Sequence, residues 1–265
     1  MSEAEPQVYT PPPTAEQASA PAPGSRAIRP GRITNTDVAL TALVLGSGVT
    51  DVTAFLTLDN VFTSAMTGNT ALLGIALSGG NWTAAVHAFS ALVGFTFGAV
   101  IGALLYSDYH RQSGRLAHVA PLLLIELICL GLFAALLTFL TPPHESVVVY
   151  LLILLSAIGM GLQGVAARQI NSPGINTIVF TSTLISIVIS MTSAVLVRED
   201  AAQTLGSNTK RQIAMFSAYG LGALAAGILA RSFLPIIAWI PMLAVLTALG
   251  CCAIAARADG HALSG

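Results

Sequence analysis

This chain has little charge. Only 9% of its 265 residues are charged, too few to clothe a water-soluble surface. The twelve acidic and eleven basic residues leave a formal net charge of -1. That excludes the basic face with which a nucleic-acid binder neutralises phosphates. Cysteine is scarcer still: Cys129, Cys251 and Cys252 all sit inside apolar runs, so no disulfide framework and no zinc site is expected. No Ser/His/Asp, Cys/His or His/Glu metal spacing falls in or near those runs, and His110, His118 and His144 stand apart with no ligand partner at a suitable distance. Neither enzyme chemistry nor a metal or cofactor is therefore expected. No cleavable signal sequence is expected either, because Glu3 and Glu5 come first and Arg26, Arg29 and Arg32 afterwards, with no apolar core between them.

What is present is hydrophobic sequence, at 54% of residues and a mean hydropathy of +0.78. Residues 1–33 hold seven of the 13 prolines and read as a Pro/Ala-rich disordered cytoplasmic tail. From Asp37, eight apolar stretches follow, at about 37–58, 61–78, 83–106, 118–141, 147–167, 174–197, 213–234 and 236–256. Most suit the ~20 residues of helix that span a bilayer. Turn residues punctuate them: Ser78-Gly79-Gly80-Asn81, Thr141-Pro142-Pro143, Asn171-Ser172-Pro173-Gly174, a polar loop from Arg198 to Arg211, and Pro235 with Pro241 at the last joint. The fold class is all-α, a polytopic helical membrane bundle over residues 34–258, with 259–265 as a short C-terminal tail.

The bundle reads as two related halves, about 37–141 and 147–256. The first and fifth stretches end in Gly46-Ser47-Gly48 and Gly159-Met160-Gly161, each followed by a hydroxyl-rich segment. A shift of 114 residues puts Thr63 on Thr177, Thr67 on Thr181 and Asn69 on Thr183. Basic residues discriminate the topologies, since short outside loops avoid them. Eight crossings from a cytoplasmic tail would leave Arg111, Arg115, Arg168 and Arg231 outside. If the second and sixth stretches dip in and return, ten basic residues lie inside and only Arg231 outside. The six-crossing arrangement with cytoplasmic termini is preferred, and it makes the halves an inverted repeat of the kind found in secondary transporters.

Polar groups inside apolar runs mark the candidate site, because each costs a few kcal/mol unless paired, protonated or facing water. Asp51 reads either as a proton or cation site near the midplane or as a helix-end acid bonded to nearby backbone or hydroxyl groups. Glu126 and His87 could join it in a proton relay; His87 alternatively serves as an interfacial group near Asn81 and Trp82. From Thr63 to Asn69 the chain has the character of a broken element, with Gly68 freeing the backbone, Asn69 placed to cap a helix through Leu72 and Leu77, and amides left to grip a solute. Ser182, Ser186, Ser190 and Ser193 form a stripe that lines a pore or bonds helices together. Gly94, Gly98 and Gly102, and Gly222 with Ala226, read as packing faces within the chain, or between two copies in a homodimer. Arg168 reads as a cytoplasmic anchor, or as a partner for an anionic solute at the next helix start.

The run Gly48-Val49-Thr50-Asp51, Phe55-Leu56, Val61-Phe62-Thr63-Ser64-Ala65-Met66-Thr67-Gly68-Asn69 and Leu72-Leu73-Gly74 resembles the signature of the YoaK family, multi-pass proteins with a domain of unknown function. Gly161-Leu162-Gln163 and Arg168 extend the resemblance across about residues 37–256. The chain departs from it at Gly164, where Asn is usual, and at Thr181-Ser182-Thr183, where Thr-Gly-Thr is usual. The resemblance implies a bacterial-type inner-membrane protein and a transport role, and names no substrate. The leading expectation is a small-solute permease, proton-coupled in its fuller form, with Asp51, Thr63, Thr67, Gly68, Asn69, Gln163, Thr177 and Thr181 at a site between the halves. The competing one is a non-transporting sensor or assembly protein acting through its tail and glycine faces.

Overall fold

The computed structural model describes residues 34–109, 119–140, 146–170, 180–196 and 207–263, and among them it contains eight helices and no strand. They are α1 (Asn35–Thr57), α2 (Met66–Ser78), α3 (Trp82–Tyr109), α4 (Ala120–Phe139), α5 (Val147–Ile170), α6 (Phe180–Leu196), α7 (Ser207–Ile237) and α8 (Ile240–Leu263). Five carry spans long and apolar enough to cross a membrane, in α1, α3, α4, α5 and α7, while α6 and α8 carry shorter apolar cores at Thr183–Ser193 and Ile240–Ala256. An apolar medium offers the backbone no other partner, so such runs close their hydrogen bonds internally as helices. Thr34 and Asp37 start α1 with a reciprocal capping box, and Pro121 sits in the first turn of α4, where its missing N–H goes unused.

Several boundaries differ from expectation. The second stretch is helical only from Met66, leaving 61–65 irregular. The loop expected up to Arg211 ends earlier, at Ser207, because Arg211 binds Asp37 across the α1–α7 contact and is drawn onto the helix. Pro235 lies inside α7 rather than at its end; the strain of its ring and missing N–H appears as a kink at Phe233 (φ -133°, ψ 28°), and the chain turns only at Ala238 and Trp239. The Ala-rich end of α8 continues helical through 259–263, residues expected as tail. Gly46–Gly48 and Gly159–Gly161 fall in the middle of α1 and α5 rather than at their ends, because they are crossing points.

Two tight crossings organise the bundle. In one, α1 lies along α7: a methyl group on Gly48 would land on the Tyr219 carbonyl oxygen and 3.0 Å from the Ala223 nitrogen, and one on Gly222 would land on the Leu45 carbonyl. In the other, α5 lies along α3: a methyl on Gly161 would strike the Phe95 carbonyl and come within 2.8 Å of the Ala99 nitrogen, and one on Gly98 would strike the Ile158 carbonyl. Gly94 and Gly102 flank this crossing against Ala157 and Val165. These glycines therefore serve contacts within one chain, where missing side chains let helix backbones touch. Each pair is parallel, since residues advance together along both helices (Gly94 by Ala157, Gly102 by Val165). The helices α8 and α4 pack antiparallel on α1 and α5 in turn, Gly46 against Ala244 and Gly159 against Leu130.

These directions assign every long helix end to one of two faces. Ala39, Val119, Ile170 and Cys252 share one buried cluster, on what we term the Asn35 face, and Leu58, Val61, Phe133 and Val149 share another toward the Thr57 face. The α1 end and the α3 start lie together on the Thr57 face, joined by a contact between Asp59 and His87. Consequently α2 does not cross. The chain turns at Asp59 and Asn60, both with positive φ (53° and 63°), re-enters through 61–65 to the level of Asp51, and leaves along α2, whose 13 residues reach only about 20 Å. Likewise α5 ends and α7 starts on the Asn35 face.

The crossings make a clear demand on size. Gly48→Ala, Gly222→Ala, Gly98→Ala and Gly161→Ala should each lower the melting temperature of the purified protein in detergent by several degrees, because two backbones must separate. Gly74→Ala and Gly220→Ala, with open space at the added methyl, should leave it unchanged or raise it slightly.

Candidate functional site

The polar centre of the first half is Asp51, wholly buried two turns before the end of α1. Its Oδ1 accepts from the Thr63 N–H (2.8 Å), the Thr63 hydroxyl (3.1 Å) and the Ser64 N–H (2.7 Å). Its Oδ2 accepts from the Ser64 hydroxyl (2.6 Å) and the Tyr219 hydroxyl (2.8 Å). Five donors occupy the positions at which a carboxylate accepts, so the acid is held by the re-entrant segment on one side and by α7 on the other. Two amides of the stretch expected to grip a solute, those of Thr63 and Ser64, are spent on this carboxylate.

Asn69 completes the frame. It does not cap α2, which starts three residues earlier behind Ala65; having a carboxamide, it mimics a peptide group and pairs with the Phe62 backbone in both directions. Its Oδ1 accepts from the Phe62 N–H (2.9 Å) and its Nδ2 donates to the Phe62 carbonyl (2.6 Å). The Phe62 ring stacks on Phe55 at 4.8 Å and covers Gly68, where a methyl would sit 3.0 Å from the ring. Thr63 and Asn69 are buried within this frame, whereas Thr67, on the next position of α2's first turn, is exposed.

The remaining candidates are distributed through the bundle. Gln163, about two turns before the end of α5, donates through Nε2 to the Leu43 carbonyl (2.9 Å) and the Ser47 hydroxyl (2.8 Å), bridging α5 to α1 rather than joining Asp51. His87 is buried near the Thr57 face, its Nδ1 3.3 Å from the Asp59 carboxylate without completing a hydrogen bond and its ring 4.6 Å from Tyr150. Glu126 is buried on α4 with no partner at either oxygen. The structure thus joins no two of Asp51, His87 and Glu126 by a hydrogen bond. Thr177 lies outside the described residues, as does the side chain of Thr181. Arg168 is exposed on the last turn of α5. In the serine stripe, Ser190 accepts from Thr209 of α7 (3.2 Å), a helix-to-helix bond. Sequence reading missed Tyr219 and Asp59. Tyr219 stands 168 residues from its partner with no local signal, but Asp59, followed by Asn60 after an apolar run, carries a recognisable left-handed turn signature.

Removing the acceptor at Asp51 orphans several buried donors, at about 1–3 kcal/mol for each one left unsatisfied. Thermal unfolding in detergent should therefore show Asp51→Ala as the most damaging change at this site. Asp51→Asn, which keeps an oxygen for three of the donors, should be intermediate, and Tyr219→Phe should cost about 1.5–3 kcal/mol. If all three melt alike, the frame does not depend on this carboxylate.

The family described as "Protein of unknown function (DUF1275)" matches residues 39–252. The UPF0700 transmembrane protein YoaK of Bacillus subtilis (strain 168) is 30% identical over 206 residues, covering 78% of this chain and 89% of the relative. No solved structure matches. With a match that runs from α1 into α8, this chain belongs to the YoaK family of membrane proteins, whose function is unknown.

Proposed function

We propose that the protein is a small-solute permease of the inner membrane rather than an enzyme, built from two halves that enter the bilayer in opposite senses. The observation that carries this reading is the repeated crossing. Shifting α1 by 113 residues puts Leu45 on Ile158 and Gly48 on Gly161, while shifting α3 by 124 puts Phe95 on Tyr219 and Gly98 on Gly222. The atoms in close approach then correspond pair by pair. The first half starts from the Asn35 face and the second from the Thr57 face, as an inverted repeat requires. Taking the Asn35 face as cytoplasmic puts ten of the eleven basic residues inside and leaves Arg231 outside.

Inverted halves with a re-entrant element support alternating access around a site near the midplane. In this reading the α2 start is that site's first wall. Asp51 and Asn69 hold it in place without touching solute, and the exposed Thr67 hydroxyl beside the helix N-terminus meets a hydrogen-bond acceptor on the solute. Gln163 ties the halves together where they cross. The competing reading, a sensor or assembly protein working through residues 1–33, rests on a tail outside the described residues.

Two measurements test the reading. A single cysteine replacing Ser113 in a cysteine-free background should resist an impermeant thiol reagent on intact cells and react once the membrane is opened; labelling of intact cells would invalidate the inverted topology. Proteoliposomes in a hyperosmotic light-scattering assay, run against a panel of small neutral and anionic solutes, should recover volume faster than protein-free vesicles for at least one solute. Thr67→Val should abolish that recovery at unchanged melting temperature. If no solute in the panel permeates, the non-transporting reading gains.

A further inference from the structure

Among the described residues, Glu126 carries the one buried carboxyl with no hydrogen-bond partner. It is wholly buried, and neither oxygen has a hydrogen-bond partner. Its surroundings are the buried side chains of Leu122, Leu123 and Leu130 on α4. Leu130 packs on Gly159 of α5. Because α4 and α5 run antiparallel, one turn from that contact along each helix brings Glu126 and Gln163 to similar depth. The acid therefore lies about 9 Å along α4 from its Asn35-face end, level with the bridge between the halves.

An ionised carboxylate in such a place would cost many kcal/mol with nothing to offset it. Asp51 shows what the same fold does when it keeps an acid in place: it supplies five donors. At Glu126 it supplies none. The charged or titratable side chains on the helices around α4 do not compensate. Among the described side chains these are, on α5, Tyr150 and Arg168, on α8 Cys251 and Cys252, on α7 Lys210, Arg211, Tyr219 and Arg231, and on α3 His87 and Tyr106. None donates to or pairs with Glu126. Along α4 itself only Cys129 is near.

We propose that Glu126 is a proton-binding site: in the structure described it holds a proton as a neutral acid, and it exchanges that proton with water when the bundle opens between its halves. The chemistry is the reversible step in which the carboxylate takes a proton from bulk water to give the carboxylic acid. As the coupling group of a permease this rests on the transport reading above, but the protonation and exchange do not. It also separates the three acids and bases expected to form one relay: Asp51 holds the frame, His87 pairs with Asp59, and Glu126 alone is left to carry the proton.

Infrared spectroscopy tests this without knowledge of the solute. Full-length protein in liposomes at pH 7 should show a protonated-carboxyl C=O band that is missing from Glu126→Gln and retained in Asp51→Asn. In D2O that band should shift within minutes. A band unchanged in Glu126→Gln would mean that Glu126 is ionised and would overturn the assignment. A band that belongs to Glu126 but does not shift over many hours would mark a sealed structural acid and overturn the exchange. Should Glu126→Gln fold poorly, Glu126→Asp serves instead, since a moved carboxyl must displace the band. Loss of vesicle permeation with an intact, exchanging band would count against the permease reading alone.

Discussion

Backbone that leaves the helix inside a bilayer has no water to turn to, and every irregular amide there must find a partner within the protein. The segment 61–65 meets this demand with two side chains. Asp51 takes the amides of Thr63 and Ser64, and Asn69 takes the amide and carbonyl of Phe62. The rest of the first half follows from that solution. With the amides of Phe62, Thr63 and Ser64 paired, the segment can stop short of crossing and hand over to a 13-residue helix, which returns the chain to the face it came from. Because α3 then starts on the same side as α1 ends, the remaining long helices alternate in the order that sets the two halves in opposite senses. Tyr219 extends the same carboxyl group to α7, so one buried side chain fixes both the re-entrant segment and the crossing of α1 with α7.

The glycine crossings show how helices associate where apolar burial contributes little, lipid tails being as apolar as leucine. Contact there depends on how closely two backbones approach, and glycines at 48 and 222, and at 98 and 161, allow the closest approach. Pairing is then reinforced by single polar bonds at wide intervals: Arg211 to Asp37 at one end of α1 and α7, Gln163 to Leu43 and Ser47 between α1 and α5, and Thr209 to Ser190 between α7 and α6. Each ties a different pair of elements, which gives the bundle a specified arrangement that apolar faces alone would leave degenerate.

Much of this was legible in the sequence because hydrophobic length, basic-residue sidedness and small-residue spacing are one-dimensional signals. Segment number, the six-helix reading with a returning second segment, and the roles of Gly94, Gly98, Gly102 and Gly222 all came from them. The role of Asn69 was not legible: an Asn followed by an apolar helix looks like a cap, and only its distance to Phe62 shows that it completes an irregular strand-like segment instead. Asp51 had two readings for the same reason. A carboxylate inside an apolar run is equally consistent with an empty site and with a filled one, and the donors that decide between them include Tyr219, which no local pattern connects to it. Residues such as Thr177 lie outside the described chain, so their place in the second half rests on register alone.

That register exposes an imbalance between the halves. The shift that superposes Gly48 on Gly161 puts Thr50 on Gln163 and Asp51 on Gly164, and the matching shift of the packing helices puts Leu130 on Ala244 and Glu126 on Ile240. The second half thus repeats the glycines and omits both carboxyls. Its polar group is one residue away, an amide that reaches across to α1 rather than back to its own half. On the repeat proposed above, shape and chemistry separate: the crossings need glycine wherever backbones meet, so it recurs at both, whereas an acid in an apolar interior is costly unless something uses it. In the first half the five donors around Asp51 are that use. Glu126 has no such donors, and the energetic argument that accounts for its absence from the second half demands a function for its presence in the first.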